Sequence, residues 1–171
     1  MAGARLPALL RILTLLGGVL LVTAPVHAGS SPTAAADFSL PGRTAQVRLS
    51  AAKGKVVYLD FWASWCGPCR LSFPWMNLMQ ARYGAKGLQV IAVNVDEKPD
   101  DALRFLALVP ADFTIAFDSR GDTPAKYGVK GMPMSYLVDR DGVVVYRHMG
   151  FNAADRDELE RQIRQALGVA P

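Results

Sequence analysis

Val56-Val57-Tyr58-Leu59-Asp60-Phe61-Trp62-Ala63-Ser64-Trp65-Cys66-Gly67-Pro68-Cys69 is the stretch whose reading decides the fold. Its opening run of β-branched, aromatic and aliphatic residues is the composition of a buried strand. Cys-Gly-Pro-Cys follows, and apolar side chains then return at helical spacing. The pattern predicts a strand that delivers two cysteines into the first turn of a helix. The first N–H groups of a helix lack intrahelical acceptors and carry the positive end of the dipole, so a thiol placed there ionises readily. Pro68 suits that first turn, where a missing N–H and a fixed φ cost nothing. The local design is one for thiol chemistry.

Three uses of Cys-x-x-Cys compete. A structural staple gains little, because closing a four-residue loop contributes only about 2 kcal/mol against ~3 kcal/mol for fifteen residues. A structural zinc site needs four ligands, and the chain offers neither a second cysteine pair nor a His-x₃₋₅-His. A dithiol–disulfide redox pair needs only what is present, with a strand before it and a helix after it. Cys66, at the helix start, is expected to be exposed and activated. Cys69, one turn further in, is expected to be more buried and to resolve a mixed disulfide. No metal and no cofactor are expected: no Gly-rich dinucleotide fingerprint follows a strand, and the redox group is the cysteine pair itself.

The bulk properties fit one exported domain. The chain has 171 residues, 51% hydrophobic and 20% charged, enough to bury a core and without a disordered bias. Arg5 and Arg11 lie near the N-terminus before any acid, so the net +4 falls to +2 once residues 1–28 are set aside. That balance is too mild to imply a nucleic-acid partner. Those 28 residues read as a secretory signal: a basic start, an apolar run from Ile12 to Val22, and Val26-His27-Ala28 as a cleavage site. The alternative is a retained membrane anchor, against which Ile12 to Ala24 falls short of the ~20 residues that span a bilayer. Either way the compartment is one in which disulfides persist.

Residues 29–36 read as a small-residue linker and 37–168 as the folded domain. Within it, Phe38 to Leu40 and Ala45 to Leu49 form a hairpin through Pro41-Gly42. After Cys69, Leu71, Trp75, Leu78 and Met79 are expected to face the sheet, and Pro74, a residue that bends a helix interior, falls inside the same run. Leu88 to Val95 is a second buried strand, Pro99 to Leu108 a helix, and Thr114 to Phe117 a short strand. Asp122-Thr123-Pro124 starts a brief helix. Met134 to Val138 and Val143 to Arg147 make a hairpin through Asp141-Gly142. Asp155 to Leu167 is the last helix, with Asp155 as cap, Leu159, Ile163, Ala166 and Leu167 facing inward, and Gly168 as stop. The expected class is α/β, a central mixed sheet flanked by helices.

The Cys-Gly-Pro-Cys stretch resembles the active-site region of thioredoxin-like proteins. Its flanks resemble the TlpA-like/ResA branch of extracytoplasmic thiol–disulfide oxidoreductases. They are Asp37-Phe38-Ser39-Leu40, Gly54-Lys55-Val56-Val57, Arg70 with Phe73-Pro74, Tyr127-Gly128-Val129 and Gly131-Met132-Pro133, in that order from about Ala36 to Leu167. The resemblance implies a thioredoxin-like sandwich with an N-terminal hairpin and a helix–strand insertion between Asp96 and Asp118. It implies a periplasmic or otherwise extracytoplasmic reductase of protein disulfides, supplied with electrons by a membrane transducer of the DsbD type. Support of cytochrome c or oxidase assembly is part of what it implies.

Residue by residue, the resemblance implies more. Asp60 matches the buried aspartate of thioredoxin, which exchanges a proton with the second cysteine. Read from the strand alone, the alternative is a partly exposed strand-end carboxylate. Pro133 matches a cis proline opposite the active cysteine, where Met132 offers backbone groups to a partner; read alone, it is a trans proline in a turn. Trp65, Gly67, Pro68, Met132 and Pro133 are the expected substrate-binding residues, with Trp65 either docking a partner or only covering the helix start. Two departures stand out: the branch more often has an amide at the position of Asp60 and a glutamate at that of Ser72. A different functional class, a copper(I) carrier, would use Cys66 and Cys69 thiolates with Met132, Met134, Met149 or His148.

Overall fold

The computed structural model describes Met1, Gly3 and residues 33–170. Apart from Met1 and Gly3, the expected signal at 1–28 lies outside the described residues, as do residues 29–32 of the expected linker. A six-stranded mixed sheet organises the chain, in the order β1-β8-β7-β4-β5-β6. Its strands are β1 (Thr33–Ala34), β4 (Val56–Trp62), β5 (Leu88–Asn94), β6 (Thr114–Phe117), β7 (Met134–Val138) and β8 (Val143–Met149). β4, β5 and β6 run parallel, and β7 lies antiparallel against β4. β2 (Ser39–Pro41) and β3 (Gln46–Arg48) form the separate N-terminal hairpin.

Alternation along β4 divides the molecule into two layers. Val56, Tyr58 and Trp62 point to one face, into a core shared with α1 (Gly67–Tyr83), α2 (Pro99–Leu108) and α4 (Asp155–Leu167). Val57, Leu59 and Phe61 point to the other, where Phe38, Leu49 and the rings of Tyr127 and Tyr136 cover them. Tyr127 closes α3 (Asp122–Tyr127), and its hydroxyl donates to Ala36 O at 2.8 Å, pinning the segment that leads into the domain. Every residue of β4 is buried, as a strand covered on both faces requires. The insertion from Asp96 to Asp118 supplies α2 and the edge strand β6. Its Phe105 packs tilted against Trp62 and edge-on against Phe73, with centroids 4.9 and 5.1 Å apart. Among the described residues no helix is long and apolar enough to cross a membrane.

The structure differs from the sequence reading at four places. Part of the segment read as linker is sheet: Thr33 and Ala34 pair with Val144 and Val143 at the β8 edge. In α1 the buried face carries Cys69, Phe73, Trp75, Met76, Met79 and Tyr83, while Leu71 and Leu78 are exposed. Apolar side chains fall on more than one side of this helix, so periodicity alone admits two faces, and Phe73 and Met76 take the sheet. At α4 the cap lies earlier than Asp155. Asn152 Oδ1 accepts the Ala154 N–H at 2.8 Å, and Asp155 reaches back to the Asn152 N–H at 2.7 Å, a reciprocal box. α3 is capped from outside by Asp118, which accepts the N–H groups of Gly121 and Thr123 at 3.1 and 2.6 Å.

Candidate active site

Parallel strands end side by side, and the site grows from that fact. Trp62 at the end of β4 is paired with Asn94 at the end of β5, so the residues that follow them meet. β7 starts on the other side of β4, bringing the Gly131-Met132-Pro133 segment to the same edge. The turn Ala63-Ser64-Trp65-Cys66 therefore lies between the end of β5 and the start of β7. Cys66 N–H closes this turn on Ala63 O at 3.1 Å.

Cys66 is the N-cap residue of α1, with an extended backbone, and its Sγ accepts the Cys69 N–H at 3.2 Å. That is the work of a capping side chain, carried out here by sulfur. The first-turn N–H and the dipole end stabilise negative charge on Cys66 once the disulfide opens. In this structure Cys66 and Cys69 are joined, with Cα atoms 5.3 Å apart. Cys69 is fully enclosed (0% exposed) and Cys66 is 5% exposed. The expected order holds, but Cys66 is far less open than its place at a helix start suggests, because its side chain turns back over the first turn to meet Cys69. The exposed groups of the rim are Trp65, 71% accessible, with Gly67 and Pro68. Trp65 therefore projects into solvent and does not cover the helix start. Trp62 is core.

Met132–Pro133 is a cis peptide bond. Pro133 O accepts the Gly150 N–H at 2.8 Å, fixing this segment to the end of β8, and Met132 is half-buried against the core that holds both cysteines. Ser72 is buried. Its hydroxyl donates to Cys69 O at 3.0 Å, so it ties the helix turn and offers no acid to the thiols.

Asp60 is 1% exposed, which removes the strand-end reading. Alternation puts it on the same face as Tyr58 and Trp62, the layer that contains both cysteines. Its cross-strand neighbours are Ala92 and Ser135, and its Oδ2 has no hydrogen-bond partner. Burial alone pushes the Asp60 carboxyl well above the usual range. Tyr58, two residues earlier, is pushed up too, first by burial and then by Asp60.

Of the residues named for a copper carrier, Met132 packs against the core that holds Cys66 and Cys69. Met134 and Met149 are paired opposite one another and share the face away from the cysteines, where Met134 packs into the layer of Phe61. His148 sits on the cysteine face but lies 3.4 Å from Asp155 Oδ2. Among the described residues no group of three or more His, Cys, Asp or Glu is placed to hold a metal ion.

One group escapes the sequence reading. Asp96, two residues past β5, is 4% exposed and receives the Ser64 N–H at 3.0 Å, the Ser64 hydroxyl at 3.0 Å and the Asn94 side-chain amide at 2.7 Å. On its own an aspartate after a strand reads as a turn residue. The signal that could find it is the pairing of two parallel strands, which sets the residues just past their ends in contact.

Comparison with known proteins agrees with this geometry. The sequence matches the Redoxin family over residues 28–163. It is 35% identical over 144 residues to the thiol:disulfide interchange protein CycY of Rhizobium leguminosarum, covering 82% of this chain and 74% of that one. It is 33% identical over 120 residues to the thiol-disulfide oxidoreductase ResA of Bacillus thuringiensis, covering 70% of this chain and 68% of that one. A crystal structure from Chlorobium tepidum, described as a thiol:disulfide interchange protein DsbE, is 64% identical. It covers 80% of this chain and 97% of its own, with a TM-score of 0.79.

Proposed function

The chain belongs to the Redoxin family, as a thioredoxin-like thiol–disulfide oxidoreductase of the ResA type, and on that premise we propose that it works outside the cytoplasm as a reductase of protein disulfides. The observation that carries the reading is the asymmetry of the pair: a sulfur capping a helix N-terminus at Cys66, and a fully enclosed one at Cys69.

In the reduced protein the Cys66 thiolate attacks one sulfur of a substrate disulfide. A Cys66–substrate bond forms, the substrate S–S bond breaks, and the leaving thiolate takes a proton from solvent. Cys69 then gives its proton to the Asp60 carboxylate and attacks Cys66 Sγ. The second substrate sulfur leaves as a thiolate and takes the proton held by Asp60, which returns to the carboxylate. Two electrons and two protons pass to the substrate, and the Cys66–Cys69 bond is restored. Burial raises the proton affinity of Asp60, which suits it to accept from a thiol near neutral pH. No cofactor enters this cycle.

Trp65, Gly67, Pro68, Met132 and Pro133 bound the surface on which the substrate docks, with Trp65 supplying exposed aromatic area. The electrons come from a membrane transducer of the DsbD type, since the chain has no dinucleotide fingerprint of its own. The export reading rests on the leader at 1–28 and on the family resemblance. Apo-cytochrome c or an oxidase copper-site protein is the substrate class that resemblance supports. The departures at Asp60 and Ser72 make this its least transferable part.

The test is a trap. In Cys69→Ala the mixed disulfide at Cys66 cannot be resolved, so the partner stays attached and is identified after non-reducing isolation. Recovery of no thiol-linked protein, with the wild type inert toward any disulfide, overturns the reading. Direction is read separately from the redox potential: a value near about −270 mV marks a reductant and one near about −120 mV an oxidant.

A further inference from the structure

The proposed cycle uses Asp60 and leaves a second buried carboxylate without a role. Asp96 is fastened to the turn that carries Cys66 by both groups of Ser64, whose N–H lies 3.0 and 3.2 Å from its two oxygens. Asn94 completes the arrangement, giving its amide to Asp96 Oδ2 at 2.7 Å and accepting the Asp96 N–H at 3.1 Å. Each of these groups meets the Asp96 carboxylate as a donor, the surroundings of an anion. Ser64 precedes Cys66 by two residues, at most about 7 Å of chain, and the turn is closed by the Cys66 N–H on Ala63 O.

We infer that Asp96 is a positioning residue whose fixed negative charge opposes loss of the Cys66 proton and so holds the cysteine couple toward the reducing side. The inference rests on the reading of Cys66 as the attacking thiol. The helix N-terminus and the Cys69 N–H favour the thiolate, and a buried anion hydrogen-bonded to the same turn disfavours it. A more easily ionised thiol stabilises the reduced form and makes a protein a stronger oxidant, so an anion that resists ionisation keeps it a reductant. The other titratable or charged groups on the surrounding elements are Asp60 on β4, Asp118 just past β6, His148 on β8, Arg70 in α1, Glu97 and Lys98 ahead of α2, and Lys130 ahead of Pro133. The last four are exposed and screened by solvent and salt, whereas Asp96 is not. Arg70 is also turned aside, its guanidinium 5.0 Å over the Phe105 ring.

Asp96→Asn removes the charge and keeps the shape. The pH midpoint of Cys66 alkylation in the reduced protein, and the equilibrium with glutathione, are compared with wild type. The thiolate fraction below the midpoint is expected to rise about 3–10-fold. At a pH above the wild-type midpoint the couple should shift toward its reduced form by the same factor, about 15–30 mV less negative. Ser64→Ala is the control, since it removes a hydrogen bond to Asp96 and leaves the charge in place; its midpoint should not fall. A midpoint unmoved or raised in Asp96→Asn overturns the inference, because loosening of the turn alone weakens the helix-end stabilisation of the thiolate. An equal fall in Ser64→Ala overturns it too. If Asp96→Asn does not fold, Asp96→Ser, which keeps an acceptor oxygen, carries the same expectation. A reduced wild type alkylated at Cys69 and not at Cys66 sinks the parent reading, whereas a reactive Cys66 indifferent to Asp96 sinks only this one.

Discussion

Asp60 in β4 and Asp96 just past β5 are buried alike, yet the protein surrounds them differently. Asp60 sits inside a strand among Tyr58, Trp62 and the cysteine layer, with Oδ2 unpartnered and its proton affinity raised by burial. Asp96 sits past a strand end and is met by three donors from Ser64 and Asn94. A buried carboxyl with an unpartnered oxygen is costly to ionise, the property a group needs to trade a proton near neutral pH. One that is fully partnered is a fixed piece of architecture. Burial alone does not separate a proton carrier from a structural anion; the donors around it do.

Removing each side chain should expose the contrast, and the largest effect is expected at Asp96. Asp96→Ala strands the Ser64 N–H, the Ser64 hydroxyl and the Asn94 amide in a closed turn. Bonds to a charged acceptor contribute more than neutral ones, and buried donors left unpaired cost extra, so a loss of about 3–5 kcal/mol is expected in urea unfolding. A loss below about 1 kcal/mol would erase the difference between the two acids.

Asp60→Asn should act first on rate. With the mixed disulfide at Cys66 prepared beforehand and release followed by rapid quench, the second exchange step should slow by about 100-fold, the lower end of what a positioned base contributes. In the wild type that step should accelerate as pH rises through the raised Asp60 value, because only the carboxylate accepts a proton from Cys69. The variant should lack this limb. A second step with the same speed and pH profile in both proteins would return Asp60 to a mere core residue.

The same variant should move stability in the direction opposite to Asp96→Ala. Below about pH 4 Asp60 is protonated in folded and unfolded chains alike, and burial carries no charge penalty. Above it the unfolded chain releases the proton and the fold resists, so wild-type stability falls as pH rises toward the folded value. Asp60→Asn should therefore be more stable than wild type at about pH 8, with the gap closing below about pH 4. A gap of the same size at both pH values would place the cause in packing.

Much of this contrast is legible in the amino-acid sequence, and what is not has physical reasons. A β-rich run followed by Cys-Gly-Pro-Cys fixes strand, turn and helix together, because each residue type has one comfortable place there. α2, β6 and α4 fall where proline, acids, β-branched residues and Gly168 put them. The buried face of α1 is ambiguous in sequence because Leu71 and Leu78 are as apolar as Phe73 and Met76, and only the space above the sheet chooses between them. Asp60 admits two readings from its strand, and the layers on either side of β4 leave one. Asp96 and Ser64 are 32 positions apart, and their meeting depends on β4 and β5 pairing in register, which local pattern does not specify.

The smallest expected effect discriminates most finely. Ser64→Ala removes one hydroxyl donor from Asp96 and leaves the Ser64 N–H and the Asn94 amide in place. The cost should be about 1 kcal/mol, the net value of one such bond. Combined with Asp96→Asn in a double-mutant cycle, the two changes should be non-additive, with a coupling of about 1 kcal/mol, because they share an oxygen. Paired instead with Asp60→Asn, which lies on β4 ahead of the turn and makes no bond to Ser64, Ser64→Ala should add within about 0.5 kcal/mol. If the coupling appears in the Asp60 cycle and not in the Asp96 cycle, the turn is organised by the proton carrier and the two carboxyls have exchanged the roles assigned to them.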